Sequence, residues 1–96
     1  MMKIIIIGGG FMGEAIIKGM LNTNQFNVNN ISVVEIDTKK INQLKKYNIQ
    51  IHNNLDALCN EKIIILAVKP QQIEQVISDL SKKISPNTIV VSIAIL

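Results

Sequence analysis

Three glycines near the amino terminus have the spacing of a phosphate-binding turn. Gly8, Gly10 and Gly13 satisfy the pattern G-x-G-x-x-G, between a run of isoleucines and a segment with helical periodicity. Gly8 permits a tight turn, Gly10 has no side chain to keep a pyrophosphate away, and Gly13 lets a helix approach a sheet. The amino terminus of that helix offers N–H groups and a partial positive charge to phosphates. The pattern predicts a bound dinucleotide; the alternative is a tight turn that holds no ligand.

An acidic residue follows at the position where dinucleotide-binding proteins hold the adenosine ribose. Glu35 ends the second predicted strand, roughly 20 residues beyond Gly13, where a carboxylate can accept hydrogen bonds from ribose hydroxyls. Since a carboxylate repels a 2′-phosphate, we expect NADH to bind more tightly than NADPH. A solvated glutamate at a strand end is the alternative interpretation.

The basic residues leave the choice between NAD and NADP open. Lysine accounts for all 10 Lys and Arg residues, so the guanidinium fork that commonly clamps an extra phosphate is missing. Lys39 and Lys40 follow the second strand closely enough to meet a 2′-phosphate as point charges, or they are exposed helix residues. Asp37 is predicted to cap that helix.

A third candidate segment, Ala67–Pro70, follows the most apolar run of the chain. Ligands in open α/β sheets bind outside the carboxyl ends of strands, so this loop is predicted to face the phosphates or the nicotinamide. A solvent-exposed Lys69 and a first-turn Pro70 explain the same residues without a ligand. We interpret His52 as a surface or capping residue and Cys59 as a buried apolar residue, rather than as catalytic groups.

The hydrophobic pattern predicts the elements that bring these groups together. Strands are predicted at Lys3–Ile7, Ile31–Glu35, Ile49–Ile51, Lys62–Val68 and Thr88–Ala94. Helices are predicted from Met12 to Leu21, from an Asp37–Thr38 cap to Tyr47, briefly after Asn53 or Asn54, and through Ile73, Val76, Ile77 and Leu80. The alternation predicts an α/β fold, a Rossmann-type doubly wound parallel sheet of order 3-2-1-4-5 that is truncated after strand five.

The first helix is predicted to bury one apolar stripe. The stripe comprises Met12, Ala15, Ile16, Gly19 and Met20. Gly19 within it suggests close contact with the sheet, or a weakened helix end.

Composition narrows the class of protein. A chain of 96 residues with a 48% hydrophobic fraction can form one domain, and the 3% aromatic fraction means an aliphatic core. The net charge of +3 is spread over lysine pairs without interleaved aromatic residues, so we expect no nucleic-acid partner. The single cysteine forms no internal disulfide, and no apolar run is long enough for a membrane span. We expect a cytoplasmic protein without a metal or membrane partner.

The chain resembles the amino-terminal domain of pyrroline-5-carboxylate reductases over nearly its whole length. The similarity is carried by Ile7–Gly13, Ala15–Gly19, Leu66–Gln71 and Val91–Ala94. The Ala-Val-Lys-Pro-Gln stretch is fairly specific to that family, whereas the glycine pattern is not. The resemblance implies an enzyme that reduces 1-pyrroline-5-carboxylate to proline, the last step of proline biosynthesis, with NADPH or NADH as hydride donor.

The resemblance also implies cofactor contacts, but no catalytic residue in this chain. The residues concerned are Ile7, Gly8, Gly9, Gly10, Phe11, Met12, Gly13, Glu35, Ile36, Asn54, Ala67, Val68, Lys69, Pro70 and Ala94. The chain departs from the family in three places. Phe11 stands where asparagine or glutamine is usual, Glu35–Ile36 replaces a pair that favours a 2′-phosphate, and Ile95–Leu96 replaces a small Ala-Gly pair.

In the family a second, helical domain follows, forms the homo-oligomer and supplies most of the substrate pocket. Because hydride transfer requires the donor and acceptor carbons at near-contact distance, we expect this chain alone to bind the cofactor with negligible reductase activity. Two alternatives remain. One is the corresponding domain of another reductase, such as a deazaflavin-dependent NADP reductase, against which Lys69–Gln71 argues. The other is a non-catalytic module that senses NAD(P).

Overall fold

Five parallel strands form one sheet in the computed structural model, which describes residues 3–58 and 63–93. They are β1 (Ile4–Ile7), β2 (Ile31–Val34), β3 (Gln50–His52), β4 (Ile63–Leu66) and β5 (Ile89–Ser92). Their order, β3-β2-β1-β4-β5, confirms the prediction. Because the chain order reverses beside β1, the carboxyl ends of β1, β2 and β4 border the crevice where ligands bind in such sheets.

In the part of the chain that the structure describes, the crossovers contain three α-helices and several short 3-10 turns. The helices are α1 (Phe11–Leu21), α2 (Thr38–Leu44) and α3 (Ile73–Ser81). The 3-10 turns are Val28–Asn30, Lys45–Tyr47, Leu55–Ala57 and Pro70–Gln72. Asp37 caps α2 as predicted, since its side chain accepts a hydrogen bond from the Lys39 amide at 3.1 Å. Asn54 caps the turn after β3 by accepting from the Asp56 amide at 2.8 Å.

Several predicted boundaries are wrong by a few residues. The second helix was predicted to reach Tyr47, but it is α-helical only to Leu44, and Lys45–Tyr47 form a 3-10 turn. Strands β1, β2 and β4 end together, since Ile7 pairs with both Val34 and Leu66 before the chain turns at Gly8. Of the two outer strands, β3 begins and ends one residue later than predicted, and β5 is shorter than predicted. The predicted strand limits at Lys62 and Ala94 lie outside the described residues.

The core lies on both faces of β1. Ile4 and Ile6 pack on one face with Ile17 of α1 and Leu44 of α2. Ile5 and Ile7 pack on the other face, where Leu80 of α3 covers them. A central parallel strand is buried on both sides, which explains why β1 consists entirely of isoleucine.

The stripe predicted for α1 is confirmed at Ile16 and Met20, which pack against the core, but it is wrong at Met12, Ala15 and Gly19, which are exposed. Gly13 and Ile17 are the buried residues of α1, whereas Met12 is 47% exposed. The predicted contact of Gly19 with the sheet is wrong, because a Cβ there would meet no sheet atom of the described residues within 4 Å. The close approach of Gly13 to the Gly8 carbonyl fixes the rotation of the helix, so the inward stripe begins at Gly13.

Strand β5 is the edge strand beside β4, and the side chains of Ile89, Val90 and Val91 are all exposed. Within residues 3–58 and 63–93, no helix has the length and apolar character needed to cross a membrane.

Candidate dinucleotide-binding site

The turn from β1 into α1 packs too closely for side chains at three of its glycines. Gly8 has a φ of +105°, and a Cβ there would lie 2.5 Å from the Ala67 carbonyl oxygen. A Cβ at Gly9 would collide with the Leu44 side chain, and one at Gly13 would collide with the Gly8 carbonyl oxygen. Gly8 and Gly13 meet backbone atoms and are therefore required by the packing of the fold itself, whereas Gly9 meets the end of the buried Leu44 side chain.

Gly10 differs from its neighbours because the space where its side chain would lie is open and faces a cleft. Among the described residues, and leaving out its chain neighbours, the atoms within 4 Å of a Cβ built there belong to Lys40, with Nζ at 3.5 Å and Cε at 3.8 Å. Gly10 is also the N-cap of α1 and contributes no side-chain hydrogen bond to the first turn. The first N–H groups of a helix have no partner within the helix, and Phe11 and Met12, which carry them, line the cleft. This arrangement suits a phosphate group.

The cleft has a volume of about 740 Å³ and lies at the carboxyl ends of β1, β2 and β4. Pockets for cofactors and other small molecules commonly measure about 300–1,000 Å³. Most residues of the predicted site line it, namely Ile7, Gly8, Gly10, Phe11, Met12, Glu35, Ile36, Asn54, Ala67, Val68, Lys69 and Pro70. Gly9 and Gly13 support the turn from behind, as described above. Ala94, Cys59 and Ile95–Leu96 lie outside the described residues.

The Glu35 carboxylate is held by backbone amides. Oε1 accepts a hydrogen bond from the Gly9 amide at 2.7 Å, and Oε2 accepts from the Ile36 and Asp37 amides, each at 2.9 Å. The residue is 9% exposed. A carboxylate offers about four acceptor positions, so about one remains for a ribose hydroxyl. Glu35 therefore joins the glycine turn to the loop after β2, a contact that its position in the sequence did not predict.

The loop after β4 forms the opposite rim of the cleft. The Ala67 amide donates to the Ile7 carbonyl at 2.8 Å, which continues the pairing of β4 with β1. Pro70 is the first residue of a 3-10 turn that leads into α3, where its missing N–H costs nothing. Lys69 and Pro70 are exposed at the cleft. The helix-start interpretation of Pro70 thus holds, and it is compatible with a ligand contact.

Several cleft residues were absent from the predicted site. They are Val34, Asp37, Lys40, Leu55, Gln72, Val76, Asp79 and Ile93. Val76 and Asp79 are three residues apart and so share one face of α3, but which face meets the cleft depends on tertiary packing. Lys40 was considered only as an alternative, because a lysine in a helix is usually solvated.

Outside the cleft, a charged cluster connects α1 to the 3-10 turn that follows α2. The Tyr47 hydroxyl donates to Glu14 Oε2 at 2.6 Å, and the Lys46 ammonium lies 3.2 Å from the same oxygen. The Tyr47 hydrogen bond, followed by that of Lys46, lowers the pKa of Glu14. The Glu14 hydrogen bond in turn raises the pKa of Tyr47. The cluster therefore holds α1, which follows the glycine turn, against the segment that follows α2, the helix that contains Lys40.

A family of sequences described as NADP oxidoreductase, coenzyme F420-dependent, matches residues 3–95 of the chain. The chain belongs to this family. Membership implies a nicotinamide dinucleotide as cofactor. The cleft fits such a group, because the open side of Gly10 and the loops after β2 and β4 all border it.

Individual relatives are pyrroline-5-carboxylate reductases. The enzyme of Mycobacterium tuberculosis is 37% identical over 82 residues, which are 84% of this chain and 28% of that protein. The enzyme of Methanosarcina acetivorans is 33% identical over 94 residues, 96% of this chain and 35% of that protein. A solved pyrroline-5-carboxylate reductase from Coxiella burnetii matches with a TM-score of 0.89 and 31% identity, covering 98% of this chain and 36% of that one.

These matches confirm the resemblance found in the sequence. They also show its extent, because the chain spans only 28% and 35% of the lengths of the two curated reductases. The similarity therefore concerns the family's dinucleotide-binding part, which is the part described above.

Proposed function

We propose that the chain is the cofactor-binding domain of a reductase that converts 1-pyrroline-5-carboxylate to L-proline with NADPH or NADH. The observation that carries the proposal is the cleft between the glycine turn and the Lys69–Pro70 loop. The wall of the cleft formed by the glycine turn fits any dinucleotide. The opposite wall, which contains Lys69 and Pro70, belongs to the stretch of sequence that most resembles pyrroline-5-carboxylate reductases. The names of the relatives support the same substrate.

Each part of the cleft has a separate task in this proposal. Gly8–Gly10 and the start of α1 at Phe11–Met12 bind the pyrophosphate, with Ile7 and Gly13 supporting the turn. Glu35, Ile36 and Asn54 border the adenosine. Ala67–Pro70 border the nicotinamide. The bound cofactor supplies a hydride to the carbon of the substrate imine, and the chain's own residues hold it in place and limit its contact with water.

The imine itself requires further groups. We propose that a second, helical domain supplies most of the substrate pocket and the contacts of a cytoplasmic homo-oligomer, as in the full-length family. Because the reacting carbons must be held at near-contact distance, the chain alone binds the cofactor but turns over negligibly.

A domain exchange tests this function. The cofactor domain of the Coxiella burnetii reductase would be replaced by this chain, and oxidation of NADPH and NADH would be followed with 1-pyrroline-5-carboxylate. We expect reductase activity from the chimera and negligible activity from the chain alone, with the parent reductase as control. A folded chimera that binds the cofactor but does not reduce the imine would favour a nucleotide sensor. Robust turnover by the chain alone would contradict the division between domains.

A second candidate is hydride transfer between NADP and a deazaflavin, which the family description favours. Offering coenzyme F420 to the chimera and to the chain in place of the imine distinguishes the two, because only this candidate predicts a change in deazaflavin absorbance.

A further inference from the structure

We propose that Lys40 binds the 2′-phosphate of NADPH, so that the chain prefers NADPH to NADH. The proposal rests on the proposed function, since it requires a nicotinamide dinucleotide in the cleft. It reverses the preference expected from Glu35 in the sequence, and the structure gives two reasons for doing so.

The first reason is the position of the Lys40 ammonium. Lys40 is half-buried at the cleft, whereas the neighbouring Lys39 is exposed and lines no part of it. The Lys40 Nζ lies 3.5 Å from the position of a Cβ at Gly10, on the side of the turn open to a ligand. Lys40 forms no salt bridge with any residue in the described ranges. Its charge is therefore available to a ligand.

The location of Lys40 also indicates which phosphate it meets. It follows the loop Ile36–Asp37 after β2, and that loop lines the same cleft. In sheets of this order the adenosine ribose lies at the end of the second strand. The other cation of the cleft, Lys69, follows β4, on the opposite side of β1 from β2. Lys40 is thus the cation on the adenosine side.

The second reason is the state of Glu35. A carboxylate selects NADH by accepting the ribose 2′-hydroxyl and repelling a phosphate there. Here three backbone amides occupy most of its acceptor positions and point their N–H dipoles at its charge. Its ability to accept the hydroxyl and its repulsion of a phosphate are both reduced. A phosphate monoester brings about 1.5–2 negative charges, which the compact ammonium of Lys40 can partly neutralise.

Calorimetric titration of the chain with NADPH and NADH tests the proposal. We expect the unmodified chain to bind NADPH at least about tenfold more tightly, a difference of about 1.4 kcal/mol. Lys40→Met should remove that difference by weakening NADPH alone, while Lys40→Arg should retain it because the charge remains. Lys39→Met is the matched control and should change neither affinity. Adenosine 2′,5′-bisphosphate should likewise bind the unmodified chain more tightly than AMP, which tests the phosphate without any variant.

Each other outcome has a defined meaning. An equal loss of NADPH and NADH affinity in Lys40→Met would show that Lys40 serves the pyrophosphate, and would overturn the proposal. Equal binding of the two cofactors by the unmodified chain, or a Lys40→Met variant that retains the preference, would also overturn it while leaving the proposed function standing. If neither cofactor binds the unmodified chain, the proposed function itself is contradicted.

Discussion

The glycines of the turn after β1 have different roles although they share one motif. Gly8, Gly9 and Gly13 are enclosed by the Ala67 carbonyl, the Leu44 side chain and the Gly8 carbonyl. Gly10 lines the cleft with open space at its Cβ position, apart from the nearby Lys40 side chain. Substitutions therefore affect either the fold or the ligand, depending on which glycine changes.

Gly13→Ala is expected to lower the free energy of unfolding by at least about 2 kcal/mol. The added Cβ would collide with the Gly8 carbonyl oxygen, which is backbone and cannot move aside as a side chain would. Urea denaturation followed by circular dichroism measures the change.

Gly19→Ala is the matched control for this prediction. Gly19 lies in the same helix, and beyond its chain neighbours and the helix backbone no atom of residues 3–58 and 63–93 lies within 4 Å of an added Cβ. This variant should be more stable by about 0.5–1 kcal/mol, since glycine is unfavourable within a helix. A Gly13→Ala chain as stable as the unmodified one would disprove the close helix–turn contact.

At the scale of elements, the Glu14–Tyr47 contact connects α1 to the 3-10 turn that follows α2. The pKa of Glu14 is lowered in the folded chain, chiefly by the Tyr47 hydrogen bond. For a carboxyl group with a lowered pKa, the added stability is present above the ordinary value of 4.5 and is lost as the pH falls through the folded value. The connection between these elements is therefore expected to weaken in acid.

Tyr47→Phe tests this connection. The variant lacks the hydroxyl, so its free energy of unfolding should fall less steeply than that of the unmodified chain as the pH decreases below 4.5. The ring remains, which preserves the contact of the Lys46 ammonium 5.4 Å from its centroid. Urea unfolding at a series of pH values supplies the comparison. Identical pH dependence in the two chains would contradict the hydrogen bond.

At the scale of the whole molecule, the topology was predictable because alternating strands and helices allow few arrangements of a parallel sheet. The position of the cleft followed from that topology and from the glycine spacing. The close packing at Gly13 was predicted from the glycine spacing, but the burial of Ile17 one turn later was not, because the predicted stripe omitted it. The hydrogen bond from Gly9 to Glu35 was equally hidden, because it joins two loops that are 26 residues apart in sequence.

The position of the Lys40 side chain also could not be predicted from the sequence. Sequence spacing placed it near the ribose or in solvent, and only the folding of α2 against the glycine turn brings its ammonium over Gly10. Long side chains in a first helical turn can point either way, so composition and periodicity leave their direction open.

The most direct test of the account is nicotinamide fluorescence during titration of NADPH with the chain and with Gly10→Leu. The chain contains no Trp, so little protein emission interferes. We expect saturable binding by the unmodified chain and none by Gly10→Leu, whose side chain fills the space beside Lys40. Because Gly10 is an N-cap without a side-chain bond, the free energy of unfolding should change by less than about 1 kcal/mol. Equal binding by the two chains, or no saturable binding by the unmodified chain, would contradict a dinucleotide site at this turn.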